Sequence, residues 1–263
     1  MLKKKNIIYA LMGVVSLALL TGVLTTLKVR SQQGNTNGQV ANSQPTAKEL
    51  DDAATPIVDL SSTDVADENR QHQNRRHNHG ALELAETPGT STEVTVSSES
   101  SMPDFPFKIS DLVVEGTVTD SNAFLSTDKT GVYSEYSVAI SDLIKSSASS
   151  TVRKHDSIIA ERFGGRVRFP SGQIVRYRVS GQGSPAKNTK YVFFLKKVDP
   201  DRYLILTAYE LRGNNAFALD GSRVNLGRGT WAFDKHNGQE VTSFKKDLDK
   251  ALKGDSNETY KVY

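Results

Sequence analysis

The chain has 263 residues and no cysteine, with 33 lysines and arginines against 30 aspartates and glutamates and a hydrophobic content of 37%. The lack of cysteine excludes a disulfide framework, a thiolate nucleophile, cysteine-ligated zinc or iron–sulfur sites and a lipid-modified N-terminal cysteine. A formal charge of +3 is too small to mark the whole chain as a nucleic-acid binder.

A targeting segment opens the chain. A lysine triplet at positions 3–5 precedes an uncharged run over residues 7–27. A helix of that length is about 31 Å long, enough to cross the hydrocarbon core of a bilayer. Cleaved signals usually have a shorter apolar stretch with a small-x-small site, whereas this run ends in Leu-Thr-Thr-Leu. Residues 1–30 are therefore predicted to be a retained signal anchor, a single transmembrane helix in the cell membrane that leaves the bulk of the chain extracytoplasmic; the alternative is secretion after signal cleavage.

Residues 31–103 are predicted to be a disordered acidic linker. Polar residues dominate this stretch, its few apolar residues follow no sustained period, and eleven carboxylates outnumber four lysines and arginines. Such a composition buries too little apolar surface to offset chain entropy. As a flexible coil it would hold the next domain about 45 Å from the membrane. His72, His77 and His79 have a metal-like spacing, but in a disordered tether we assign them no metal site.

An antiparallel β domain is predicted for residues 104–233. Apolar and polar residues alternate over 112–119 and again over 132–140, and a turn-forming segment separates the two runs. Further short strands follow without a long helix between them, at 157–163, 166–169, 174–179, 191–198, 202–209 and 216–219. This order is typical of an antiparallel barrel, with a β-sandwich as the alternative, and not of an α/β sheet. The most apolar runs, YVFFL and YLILT, are predicted to form the centre of the core.

One helix is predicted near the C-terminus, within residues 234–263. Its apolar stripe recurs at helical spacing and consists of Val241, Phe244, Leu248 and Leu252. Asn237 and Glu240 have the spacing of an N-terminal capping box, and Gly254 stands where a helix would stop. Because a helix this short is marginal alone, we expect the stripe to pack on the β domain.

A basic hairpin is the strongest local charge feature. A three-residue loop at 170–172, with its glycine left-handed, places Val167 opposite Val175. In the same register, three arginines stand together on the outer face, namely Arg166, Arg176 and Arg178. Opposed like charges destabilise a sheet unless counter-charges relieve them, so either an internal group such as Glu161 pairs with these arginines or they bind an external anion. The three arginines are therefore candidate anion-binding residues; nucleic acid is disfavoured because Tyr177, a potential stacking ring, points inward.

Parts of the β domain resemble an exported bacterial domain of uncharacterised role. The matching runs are DLVVEGTV at 111–118, YSVAI at 136–140, LIK at 143–145 and NTKYVFFL at 188–195. The same order of elements is similar to the OB-like barrel of netrin and tissue-metalloproteinase-inhibitor modules. The resemblance implies a small antiparallel OB-like barrel. It carries no active-site residue across, because the inhibitors' N-terminal cysteine and disulfides have no counterpart here.

No catalytic motif of the G-x-S-x-G, H-E-x-x-H or G-x-x-x-x-G-K-[ST] type is present. We therefore predict no catalytic, metal-binding or cofactor-binding residue. The predicted function is a membrane-anchored extracytoplasmic binding or interaction module of unknown ligand. Its expected partner, besides the membrane, is an anionic polymer or an acidic protein surface that contacts the basic hairpin. The alternatives are a structural component of an envelope complex and an enzyme whose residues come from scattered loops.

Overall fold

Strands dominate the part of the chain that the computed structural model describes, which consists of residues 53–61, 67–78, 84–86, 93–96, 102–148, 150–221 and 235–254. The predicted membrane-spanning segment, 7–27, lies outside these residues. Among the helices that are described, none has the length and apolar character needed to cross a membrane.

The strands of this part, numbered in chain order, are β1 (Ile57–Asp59), β2 (Glu93–Val96), β3 (Leu112–Leu125), β4 (Val132–Ser146), β5 (Ser157–Phe163), β6 (Gly165–Arg168), β7 (Ile174–Val179), β8 (Lys190–Asp199), β9 (Arg202–Arg212), β10 (Asn215–Ala218) and β11 (Gln239–Glu240). The helices are α1 (Glu68–Arg76) and α2 (Val241–Leu252). The described chain is thus mainly β with a helix near its C-terminus, as predicted.

Five strands pair in a closed order, which we name the ring: β3, β4, β5, β9 and β8. The larger sheet runs β11-β10-β9-β5-β4-β3-β8, and β9 also pairs with β8. The pairing of β5 with β9 is parallel, whereas the other pairs of this ring are antiparallel. The prediction of antiparallel pairing is therefore wrong for the β5–β9 pair. A parallel pair is feasible here because β6, β7 and β8 lie between β5 and β9 in the chain and provide the crossover.

The five paired strands share an apolar core. Alternate residues of β8, including Tyr191 and Phe193, pack on one side of the strand with apolar residues of β3, β4 and β5. The residues between them, Val192 and Phe194, belong to a second cluster, which includes Phe244 of α2. Strand β8 is therefore buried on both faces, which explains its uninterrupted apolar run YVFFL.

Helix α2 packs through two residues of its predicted stripe. Phe244 and Leu248 are buried, whereas Leu252, at the end of the stripe, is 37% exposed. The ring of Phe244 lies 4.9 Å from the ring of Tyr209, measured between centroids. The prediction that the stripe packs on the β domain is confirmed for its central two residues.

The N-terminus of α2 is capped by Glu240 and not by Asn237. The Glu240 carboxylate accepts a hydrogen bond from the backbone N–H of Ser243 at 3.1 Å. Asn237 Oδ1 accepts instead from the backbone N–H of Ala218 at 3.2 Å. The predicted capping box is wrong in this detail because β11 leads directly into the helix and leaves Asn237 outside it. The stop at Gly254 is as predicted, since its φ is +80°.

Strands β6 and β7 form the predicted hairpin at the centre of a separate four-stranded sheet. Val167 pairs with Val175 and Arg166 with Arg176, and Gly172 has a φ of +86°. The predicted register and loop are therefore confirmed. Strand β1 pairs in parallel with β6, and β2 pairs in parallel with β7, so that the sheet order is β1-β6-β7-β2.

The disordered-linker prediction for residues 31–103 is wrong for four segments, which we name the belt: 53–61, 67–78, 84–86 and 93–96. The belt contains β1, α1 and β2, and its two strands pair with β6 and β7, so the described fold begins before the predicted domain boundary at residue 104. Composition failed here because it averages over a long polar stretch, whereas β1 and β2 pair with the hairpin and pack only a few apolar residues, such as Val58 and Val94, against it, and α1 is held by ion pairs. Residues 102 and 103 are also described, with Met102 packed against the second core cluster, and the rest of the predicted linker lies outside the described residues.

Candidate functional site

The arginines of the hairpin have contacts within the chain. Arg166 Nε donates to the carbonyl oxygen of Thr55 at 2.9 Å, and Arg178 Nε donates to Glu93 Oε1 at 2.9 Å. Arg176 is only 4% exposed, so its predicted place on a solvent-facing surface is wrong. The error follows from treating the belt as disordered, because the belt supplies both Thr55 and Glu93. Arg166 and Arg178 thus have internal partners, and anion binding here stays a prediction.

Two buried glutamates lie side by side on neighbouring strands. Glu135 of β4 is directly opposite Glu161 of β5, and the two residues are 6% and 3% exposed. Like charges at opposed positions repel each other, and burial removes the stabilisation that water gives to a carboxylate. This pair therefore requires cations in direct contact. Sequence reasoning named Glu161 only as a partner for the hairpin arginines, and it missed Glu135.

Arginines of α1 supply cations to both carboxylates. Arg70 Nη1 lies 2.5 Å from Glu135 Oε1, and Arg76 Nη2 lies 2.7 Å from Glu161 Oε2. Arg202, the first residue of β9, contacts the same oxygen of Glu135 at 2.5 Å. Burial alone would lower the pKa of Arg70, but the hydrogen bond and the charge of Glu135 outweigh this effect and raise that pKa. The Arg70 guanidinium therefore stays charged.

Tyr133 of β4 extends the contact with α1. Arg70, Asn74 and His77 recur at the spacing of one helical face. The Tyr133 hydroxyl donates to Asn74 Oδ1 at 2.7 Å and accepts from Arg70 Nη1 at 3.3 Å, and its ring stacks on His77 at 3.8 Å. Burial, assisted by the negative charge of Glu135, raises the pKa of Tyr133 to about 12. The phenol therefore keeps its proton and remains a hydrogen-bond donor.

An open groove of about 450 Å³ lies between α1 and the turn that joins β8 to β9. Its lining includes Arg70 and Arg202, whose guanidinium groups both donate to Glu135. Three carboxylates also line it, from Asp67, Asp199 and Asp201. Asp67 Oδ1 accepts from the backbone N–H of Arg70, and Asp199 Oδ2 lies 3.5 Å from Arg76 Nη1. The three carboxylates outnumber the two guanidinium groups, so the lining has a net negative charge and suits a cation.

Two of the three histidines in the predicted metal-like pattern, His72 and His77, lie near different carboxylates. His72 lies in α1 with its Nδ1 3.8 Å from Asp199 Oδ2, and the Nε2 of His77 lies 3.7 Å from Glu161 Oε1. His79 lies outside the described residues. Within those residues, no group of three or more histidines and carboxylates is placed to hold a metal ion.

Further ionic contacts are buried away from the groove. Arg162 pairs with Asp220 at 2.6 Å, and His236 Nε2 lies 3.1 Å from Asp104 Oδ2. Burial alone would raise the pKa of Asp104, but hydrogen bonds from His236, from the backbone and from Lys235 lower it to about 2. Each contact joins segments that are distant in the chain, which indicates a structural role.

Comparison with known proteins identified no relative of this chain. No protein-family model matches the chain, and no curated protein or solved structure is significantly similar to it. The resemblance to exported bacterial and netrin-like domains therefore stays a prediction. What can be inferred about function comes from the residues around the groove and α1.

Proposed function

We propose that this protein is a membrane-anchored, extracytoplasmic binding module with an OB-like barrel, and that its groove holds a cationic segment of a partner protein. The observation that carries the proposal is the acidic groove between α1 and the β8–β9 turn. A groove of this volume is in the range that proteins use for ligands. We prefer binding to catalysis because the sequence contains no G-x-S-x-G, H-E-x-x-H or G-x-x-x-x-G-K-[ST] motif.

The pairing order supports an OB-like barrel. Strands β3, β4, β5, β9 and β8 close on one another through the double pairing of β9. In an OB barrel, ligands bind on the face of the second and third strands and on the loops beside it. Here those two strands are β4 and β5, and the groove lies next to them, with Ile159 of β5 and the β8–β9 turn in its lining.

The charges around the groove favour a cationic ligand over a nucleic acid or another polyanion. Asp199 and Asp201 flank the turn, and Asp67 stands at the N-terminus of α1. A phosphate backbone would be repelled by these carboxylates. A lysine or arginine side chain would instead form charge-assisted hydrogen bonds with them. The proposed partner is cationic, whereas the partner expected for the basic hairpin was anionic.

Replacing Asp199 and Asp201 with Asn is expected to weaken the binding of a fluorescein-labelled tetra-arginine amide by about fivefold, since each ion pair contributes up to about 1 kcal/mol. Because Asp199 also contacts Arg76 of α1, the single variant Asp201→Asn is measured beside it and should weaken binding by about threefold. Fluorescence anisotropy with the full chain, at a salt concentration of about 0.1 M, measures the change without strong screening at contact distance.

The matched control for this experiment changes the charge equally but outside the groove. Asp59 and Asp142 are both exposed and pair with Arg168 and Lys154. Replacing them with Asn should leave the affinity within about twofold of the wild type, because exposed charges beyond a Debye length are screened. Equal weakening by the two double variants would show that the net charge of the protein explains the effect. That result would contradict specific binding in the groove. A wild-type protein without saturable binding would contradict it as well.

The proposed membrane anchor has a separate test. If residues 7–27 act as a retained signal anchor, terminal mass spectrometry of the protein from the membrane fraction should find a chain that still begins within residues 1–6. A chain that begins after residue 27 and is recovered from the medium would instead identify a cleaved signal. The groove proposal does not depend on this result.

A further inference from the structure

Helix α1 is held by polar contacts and not by apolar burial. None of its nine residues is buried, whereas α2 buries Phe244 and Leu248. A helix of this length is marginal in water on its own, so its position depends on its polar contacts with Glu135, Glu161 and Tyr133. These contacts can be made equally by another segment that carries the same side chains, whereas a core-filling element requires a matching apolar shape.

The face beneath α1 requires positive charge from outside the ring of strands. Arg202 is a ring residue that contacts Glu135, but the guanidinium that contacts Glu161 comes from Arg76 of α1. Removal of α1 would expose two adjacent carboxylates and take away the guanidinium groups of both Arg70 and Arg76. Neighbouring carboxylates without sufficient counter-charge favour the binding of another cation.

We infer that α1 is an intramolecular occupant of an arginine-binding face, and that an arginine-bearing segment of the partner protein replaces it. The inference rests on the proposed function and extends the binding surface from the groove to the strands beneath α1. The groove is then the accessible edge of a larger acidic surface, and Arg70 lies at the boundary between the two.

The contacts of the two α1 arginines define which side chains the face accepts. The guanidinium of Arg70 lies over the ring of Phe124, 3.8 Å from its centroid, while it also contacts Glu135. A planar guanidinium can stack on an aromatic ring and bind a carboxylate at the same time, which an ammonium group does less well. The face should therefore prefer arginine to lysine.

A second position surrounds Arg76. Its Nη2 contacts Glu161 at 2.7 Å and its Nη1 lies 3.5 Å from Asp199 Oδ2. The two carboxylates thus receive different nitrogens of one guanidinium, an arrangement that its fork of donors allows. Asp199 also lines the groove, so this position adjoins the groove.

The connection of α1 to the same chain makes it a strong competitor although none of its residues is buried. A tethered segment has an effective concentration in the millimolar range, so the closed state dominates. The apparent affinity for a partner is then reduced by the fraction of molecules in which α1 has left the face. Weakening α1 should raise that fraction and tighten the binding of the partner.

The test measures the binding of a fluorescein-labelled peptide with the sequence of residues 67–78 to the full chain. The variant Arg70→Ser/Arg76→Ser should bind this peptide at least about tenfold more tightly than the wild type does, because it has lost the competing side chains. A peptide in which every arginine is replaced by lysine should bind the variant about tenfold more weakly than the arginine peptide.

Adjacent residues provide the matched control. Arg75 is exposed, and its Nε donates to the Gln71 carbonyl oxygen within α1. Arg75→Ser therefore changes the net charge as Arg76→Ser does but removes no contact with Glu161, and it should leave the peptide affinity unchanged. A second variant, Gln73→Pro, breaks the helix while keeping both arginines, and it should also tighten peptide binding. The test therefore remains valid even if the double arginine variant fails to fold.

Each outcome separates this inference from the proposed function. Equal peptide affinities for the wild type, the double arginine variant and Gln73→Pro would overturn the role of α1 as an occupant. The same would follow if Arg75→Ser and Arg76→Ser tightened binding to the same extent. Either result leaves the groove proposal intact when the Asp199 and Asp201 changes still weaken tetra-arginine binding. If neither peptide binds any form of the protein, both proposals fail.

Discussion

Replacing Asp220 with Asn is expected to lower the free energy of unfolding by about 3–5 kcal/mol, because it leaves the Arg162 charge buried without its counter-ion. Both side chains are 4% exposed. The Asp220 carboxylate accepts hydrogen bonds from two guanidinium nitrogens at 2.6 and 2.9 Å, and another from the backbone N–H of Gly183 at 3.0 Å. Urea unfolding followed by circular dichroism measures the loss.

An exposed ion pair of the same composition is the control. Arg168 and Asp59 are 3.1 Å apart and about half exposed, so Asp59→Asn should change the unfolding free energy by less than about 1 kcal/mol. Similar losses in the two variants would show that burial does not govern the Arg162–Asp220 pair. A loss below about 1 kcal/mol for Asp220→Asn would lead to the same conclusion.

Phe244→Ala is expected to destabilise the protein by about 3–5 kcal/mol, the usual cost of removing a fully buried aromatic ring. Phe244 packs in a cluster with Phe105, Phe194 and Tyr209. Its ring centroid lies 5.6 Å from that of Phe105 in an edge-on arrangement. Because this ring is a main apolar contact of α2, amide hydrogens of α2 should also exchange faster in the variant.

The Leu252→Ala variant shows whether that loss depends on burial. Leu252 belongs to the same helix and the same predicted stripe but is 37% exposed. Its truncation should cost about 1 kcal/mol or less, since little apolar surface is lost. If both variants lose similar stability, burial would not explain the effect, because alanine itself favours the helix, and the described contact of α2 with the strands would be in doubt.

The hairpin shows what the sequence could predict. Only the three-residue loop places Val167 and Val175 together and keeps the apolar and polar faces separate, so the pattern determines the register. Strand β8 was equally clear, because a run buried on both faces is apolar throughout. In both cases the information is carried by side-chain alternation within about ten residues, which is the range over which such patterns are reliable.

The belt could not be predicted in the same way. Strands β1 and β2 have three and four residues, too few to show alternation, and their pairing energy comes from backbone groups that every sequence possesses. Their position depends on the hairpin edges, since Ile57 pairs with Arg166 and Glu93 with Arg176, 109 and 83 residues further along the chain. Composition alone therefore indicated disorder.

The candidate site was missed for a related reason. Glu135 follows the outward alternation of β4, next to the inward Tyr136, and an outward glutamate is normally solvated. Nothing in β4 shows that α1 covers it. A signal did exist in the belt, where Arg70, Asn74 and His77 recur at the spacing of one helical face, but that spacing predicts a helix with a polar contact face only when its partner surface is known.

Short outer strands have a practical consequence for anyone who shortens this protein. The two edges of the β6–β7 hairpin are covered by β1 and β2, and strand edges left open invite pairing with neighbouring molecules. A truncated version starting at residue 104 would keep the apolar core yet present both edges to solvent. Aggregation of such a fragment would reflect lost edge protection together with the loss of the α1 cations beside Glu135 and Glu161, and the remedy would be to start before β1.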